Sequence, residues 1–139
     1  QAFSSLVLNT KRNKNLVKYI LVQIENQISG TENNYEDASS TIEHILPENP
    51  GSVWDDHFSI DEQAEYIYRI GNYTLLEASI NNKLSNDLSF AKKMESYKTS
   101  KYKISKESLN YEEWNPSSLS LRQEKMASWA KSIWKSNYI

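Results

Sequence analysis

Cysteine is absent from the 139 residues, which excludes disulfides, a thiolate nucleophile and every zinc site built on cysteine. Glycine and proline are scarce, three of each, so the chain carries few built-in breaks and is predicted to be ordered and helix-rich. No long apolar run is present and the mean hydropathy is −0.72, which excludes a helical membrane span. The first residues lack the charged, apolar and small-residue order of a secretory signal. A soluble chain is expected, with the cytoplasm as the default compartment.

What is present is one domain's worth of chain, long enough to bury roughly two thirds of its unfolded surface in a core. Aromatic residues are plentiful, with four Trp, nine Tyr and three Phe, and most of them are expected to pack that core. The formal net charge of −2 hides a strong asymmetry. Glu25 to Glu65 holds eleven acids and no Lys or Arg, whereas Lys83 to Lys106 holds seven Lys against Asp87 and Glu95. Such a distribution can set a basic surface beside a carboxylate-rich pocket, although taken alone it is better read as two solvated faces.

No repeat or linker divides the chain, so a single domain over residues 1–139 is expected. Leu16, Val17, Ile20, Leu21, Ile24 and Ile28 recur at spacings of three and four, predicting a helix over 13–29 that stops before Gly30. Thr41 and Ile42 lead into Glu43, His44 and Ile45, reading as a brief strand broken by Pro47 and Pro50. Ser59 and Glu62 form a capping box for a helix over about 60–70, with Ala64, Ile67, Tyr68 and Ile70 as its apolar face and Gly71 as its stop. Tyr73 to Leu76 reads as a second strand, followed by helical spacing over 79–86 and 89–98. Ser118 is the predicted cap of a last helix whose apolar side carries Leu119, Arg122, Met126, Trp129, Ala130 and Ile133. Trp129 and Trp134 are expected to pack against the first helix.

Two histidines occur, His44 and His57. A lone histidine among apolar residues is more often structural than functional. The weighting changes because Glu43-His44-Ile45-Leu46-Pro47 is followed by Asn72 before the second strand and by Asn81 after it. In this order the sequence resembles the HNH, or ββα-metal, nucleases. It is most similar to the C-terminal nuclease domain of GmrSD-type, modification-dependent restriction endonucleases. The resemblance rests on Ile42 to Pro47, Trp54, Ile70 to Leu76, Asn81, Asn82, then Phe90, Lys93, Tyr97 and Ser100, and finally Trp114, Arg122, Ile133 and Trp134. It spans roughly residues 14–135.

The resemblance implies a mostly helical α+β fold in which a small ββα-metal finger is embedded between N- and C-terminal helices. It also implies a metal-dependent DNA endonuclease acting in anti-phage restriction. Phosphodiester hydrolysis needs a base active near neutral pH, and His44 is the candidate. It also needs a hard cation, Mg²⁺ or Mn²⁺, held by oxygen ligands. Glu43 and Asn81 are the expected metal ligands. Neighbours on a regular strand face opposite ways, so Glu43 and His44 can share a site only where the strand ends. Asn72 joins the catalytic set by analogy as the residue that pins the loop after the first strand and helps orient His44. Lys83, Lys92, Lys93 and Lys98 are the expected DNA contacts.

His57, beside Asp55 and Asp56, is the rival base but falls outside the acid-His-x-x-Pro frame. The family also carries an N-terminal nucleotide-dependent sensing domain, of which these residues show nothing, so the chain reads as the C-terminal part of a longer protein. Two other readings compete. One is a catalytically silent nuclease-like module that binds DNA or a protein. The other is a helical interaction module in which His44 is structural.

Overall fold

A computed structural model describes residues 3–134. Helix α1 (Thr10–Ser29) is capped by the Asn9 side chain, which accepts from Lys11 N–H, and ends at Gly30 in the left-handed region (φ 72°). It begins three residues before the predicted start, but Asn13 departs from helical geometry (φ −122°, ψ 28°), setting off a first turn. Strand β1 (Ser40–His44) pairs antiparallel with β2 (Tyr73–Glu77), from Ser40 opposite Glu77 to His44 opposite Tyr73. The ladder stops there because Asn72 takes over: its carbonyl accepts from Ile45 N–H and its side-chain Oδ1 from Leu46 N–H. Pro47 follows and has no N–H to offer.

Helix α2 (Ile60–Tyr66) starts at the Ser59–Glu62 capping box as expected. It ends four residues short of the predicted stop. The N-terminal segment recruits the backbone beyond it, with Leu8 N–H donating to Tyr68 C=O and Val7 bridging Arg69. Ala64, placed on the apolar face by its spacing, is exposed, while Ile67 and Ile70 are buried. Gly71 lies in a tight 3₁₀ turn (Ile70–Asn72), and its need for glycine is steric. A Cβ there would lie 2.7 Å from Gln123 Cβ and 2.8 Å from the Leu119 carbonyl.

Helix α3 (Ala78–Asn81) follows β2 directly and makes a single turn, not the eight-residue helix expected. The backbone beyond it is committed elsewhere: Asn86 C=O accepts from Gly51 N–H. Helix α4 (Phe90–Tyr97), capped by Ser89, matches its predicted span closely. Short α5 (Lys103–Lys106) is held by Glu25, whose carboxylate accepts from the N–H groups of Lys103 and Ile104. Helix α6 (Pro116–Ile133) is capped by Asn115, not Ser118; Ser118 is the third helical residue and completes the capping box. Its buried side, with Leu119, Arg122, Met126 and Ala130, is the predicted one. Trp129 and Trp134 pack on the cluster that contains α1, and the Trp134 ring lies 6.5 Å from that of Tyr19.

The β1–β2 ribbon separates two apolar clusters. Tyr73 and Leu75 face a cluster built from α1, α5 and α6, whereas Leu76 faces one that includes Ile45, Leu46, Trp54, Phe58, Phe90 and Trp114. The result is a mostly helical α+β fold with a two-stranded ribbon and a short following helix at its centre.

Candidate active site

β1 ends at His44, and this ending puts two neighbouring side chains around one groove. His44 packs edge-on against the Tyr73 ring at 4.8 Å. Its Nε2 lies 3.2 Å from Thr10 Oγ1 and 3.9 Å from Glu48 Oε1. The Glu48 carboxylate is itself held by the Tyr68 hydroxyl, which donates to Oε2 at 2.9 Å. Burial pushes the imidazole pKa down from 6.5 to about 4; Glu48 opposes the shift and Lys93 adds to it. The ring is therefore neutral at pH 7. Its Nδ1 has no hydrogen-bond partner among the described residues.

Glu43 turns to the other side of the ribbon and is buried. Its Oε2 accepts from Lys93 Nζ at 2.9 Å and from the Tyr97 hydroxyl at 2.6 Å. Lys93 also donates to the carbonyls of His44 (2.8 Å) and Ile45 (3.0 Å). This corrects the expectation that Lys93 meets DNA: it is 2% exposed and its three donors are all occupied inside the protein. The Phe-x-x-Lys-x-x-x-Tyr spacing thus has a physical meaning, since residues 93 and 97 lie one turn apart on α4 and grip the same carboxylate. Glu43 Oε1 has no partner among the described residues.

Asn81, at the end of α3, donates its amide to Thr41 Oγ1 (3.0 Å) and the Ile42 carbonyl (3.1 Å). A carbonyl only accepts, so the amide nitrogen must point at β1 and Oδ1 is left without a partner among the described residues. Glu43, His44, Glu48 and Asn81 all line one groove of about 230 Å³.

Asn72 does not reach this groove. It is fully buried and makes four bonds, accepting from Leu46 N–H and Trp114 Nε1–H and donating to the carbonyls of Leu46 and Ile67. That pins the loop after β1, which is a positioning role. His57 lies 4.0 Å from Glu113 and lines neither groove around His44. Lys83 and Lys92 are exposed, and exposed Lys98 pairs with Glu95 at 3.0 Å.

Of the acids between Glu25 and Glu65, Glu43 and Glu48 line the groove that holds His44 and Asn81, and the others do not. Glu25 holds α5, Glu62 caps α2 and Asp55 accepts from Gln63. Among the described residues no three His, Cys, Asp or Glu are grouped to hold a metal. Glu43 Oε1 and Asn81 Oδ1 are groove oxygens without a protein partner among the described residues, while the Glu48 carboxylate is held by Tyr68 and faces His44. That donor set suits a hard cation that keeps most of its waters and takes further oxygens from a substrate phosphate. Sequence reasoning missed Glu48, although an acid four residues after His44 was a readable signal. It also missed Thr10, Lys11, Lys14 and Lys18 on α1, which line a second groove against His44.

These features define a mostly helical α+β domain built round a histidine, carboxylate and amide at the end of a strand pair. The chain belongs to the family of GmrSD restriction endonucleases, C-terminal domain, which it matches over residues 1–129. No curated protein matches it. Membership gives the chain a nuclease role related to restriction endonucleases, with DNA as the substrate class. Among the described residues no helix is long and apolar enough to cross a membrane.

Proposed function

We propose that this chain is a metal-dependent DNA endonuclease domain of the HNH type, acting in anti-phage restriction in the cytoplasm alongside a nucleotide-dependent N-terminal domain. The observation that carries the proposal is the meeting of Glu43, His44 and Asn81 in one groove, although Asn81 lies 37 residues further along the chain. Glu43 Oε1 and Asn81 Oδ1 would hold Mg²⁺ or Mn²⁺, which when bound supplies charge neutralisation at the phosphate.

The remaining chemistry belongs to the chain. His44 is neutral at working pH and takes a proton from water at Nδ1, the ring nitrogen left free by Thr10 and Glu48 at Nε2. As the imidazolium forms, the Glu48 carboxylate stabilises it, and Tyr68 keeps that carboxylate in place. Lys93 and Tyr97 fix Glu43, and Asn72 fixes the loop that carries Glu48 past Pro47.

The test is nicking of supercoiled plasmid with Mg²⁺ or Mn²⁺. His44→Ala is expected to lower the rate about 10² to 10⁴-fold while the far-UV circular dichroism is unchanged. Glu43→Gln and Asn81→Ala are expected to raise the metal concentration required. Undiminished cleavage by His44→Ala, or full cleavage in EDTA, overturns the assignment. Binding of DNA with no cleavage under any metal instead supports the silent-module reading.

A further inference from the structure

The second groove beside His44, of about 410 Å³, runs between α1 and β1. Its walls carry Lys11, Lys14 and Lys18 from one side of α1, with Thr10 and His44 at one end. Among the described residues Glu48 is the only acid lining it, against three lysines, on a chain whose net charge is −2. Lys11 and Lys14 are exposed, and no ion pair is formed by either among the described residues. Lys18 is half-buried and donates to the Asp37 carbonyl. Burial, and Lys14 nearby, hold its ammonium below the usual lysine range despite the opposing pull of Asp37. Three like charges held along one groove wall form a surface that an anion would relieve.

We propose that this groove between α1 and β1 binds the phosphodiester backbone of DNA, leading the strand past His44. The assignment rests on the nuclease reading for its substrate, and it moves the expected DNA contact away from the Lys83–Lys106 segment, where Lys93 is buried and Lys98 is paired. His44 lines both grooves, so a backbone seated on the lysines passes directly to the oxygen ligands at Glu43 and Asn81.

Binding of duplex DNA is measured by fluorescence anisotropy across a salt series, all in a His44→Ala background without added metal to suppress cleavage. Lys11→Gln with Lys14→Gln is expected to weaken binding about tenfold or more at 0.1 M salt and to flatten the slope of log affinity against log salt by about 0.9 per lost contact. Lys92→Gln with Lys98→Gln, which removes the same charge from α4 and its C-terminal cap, is expected to change neither. An unaltered slope in the α1 pair, equal losses in both pairs, or no binding of DNA by the parent overturns the proposal. Plasmid nicking is followed in parallel with His44 intact: binding through the α1 lysines with no nicking by that protein leaves the groove assignment standing and the nuclease reading fallen. Nicking by the protein with His44 intact, together with unimpaired binding by the α1 pair, gives the reverse.

Discussion

His44 owes its neutral state to burial more than to any single neighbour, and this has a consequence for acid stability. Its folded pKa of about 4 lies below the unfolded value of 6.5. Between these values the unfolded chain binds a proton that the folded chain refuses, so folding weakens as pH falls. The contribution is complete above pH 6.5 and is lost through the window down to about 4, with a ceiling of about 3 kcal/mol. Denaturant titrations at pH 7 and pH 4.5 should therefore show a steeper acid loss for the parent than for His44→Asn, which cannot take the proton. Ring resonances of His44 that titrate near pH 6.5 would contradict this. At the same scale, the sequence marked Glu43, His44, Asn72 and Asn81 through their order in the chain, and all four fall at or next to the end of β1. It mistook Lys93, because a lysine is assumed to be solvated unless a buried carboxylate is known to wait for it. That partner is 50 residues away, and no local spacing reveals it.

At the scale of elements, α4 is the clamp on the site. In a two-stranded sheet β1 keeps an unpaired edge, and the carbonyls of Ile42 and His44 are satisfied by side chains from outside the ribbon, Asn81 and Lys93. Removing Lys93 leaves Glu43 buried without its cation, a loss of about 3–5 kcal/mol for a pair this enclosed. Lys93→Ala is accordingly expected to lower the denaturation midpoint strongly, whereas Lys92→Ala, one residue away and exposed, should shift it by no more than about 0.5 kcal/mol. Equal effects would refute the clamp. The same distinction explains which elements were readable from sequence. α1, α4 and α6 show apolar periodicity over two or more turns, and their spans were legible to within a few residues. α2 and α3 were overestimated because their ends are decided by distant backbone: Leu8 claims Tyr68, and Gly51 claims Asn86. The cap of α6 was misplaced by three residues because Asn115 and Ser118 both suit a cap, and only Pro116 at the first helical position distinguishes them.

For the whole molecule, the decisive fact is that the site is assembled from α1, the loop after β1, α3 and α4 around a ribbon shared by two apolar clusters. No one element holds it, so its geometry depends on ties between clusters. Arg122 ties several of the surrounding elements together. It is fully buried, donates from Nε to Glu107 at 2.9 Å, and reaches the carbonyls of Gly71, Tyr73 and Ile104. A single guanidinium thereby joins α6 to the turn before β2, to β2 itself and to α5, using a fork of donors that lysine cannot reproduce. Arg122→Ala would remove the buried partner of Glu107, leaving it only Lys125 and Tyr111, and would strand three carbonyls, at a cost of about 3–5 kcal/mol against the 5–15 kcal/mol typical of a whole domain. The expected result is a melting temperature lower by roughly 10 °C or more. Arg122→Lys should recover only part of that loss, because one ammonium cannot reach all four acceptors. Cleavage assayed well below the lowered melting temperature should remain close to that of the parent, since Arg122 touches neither groove. A large loss of rate in that still-folded variant would show instead that the ribbon's position, and with it the alignment of His44 and Asn81, is set by this one residue.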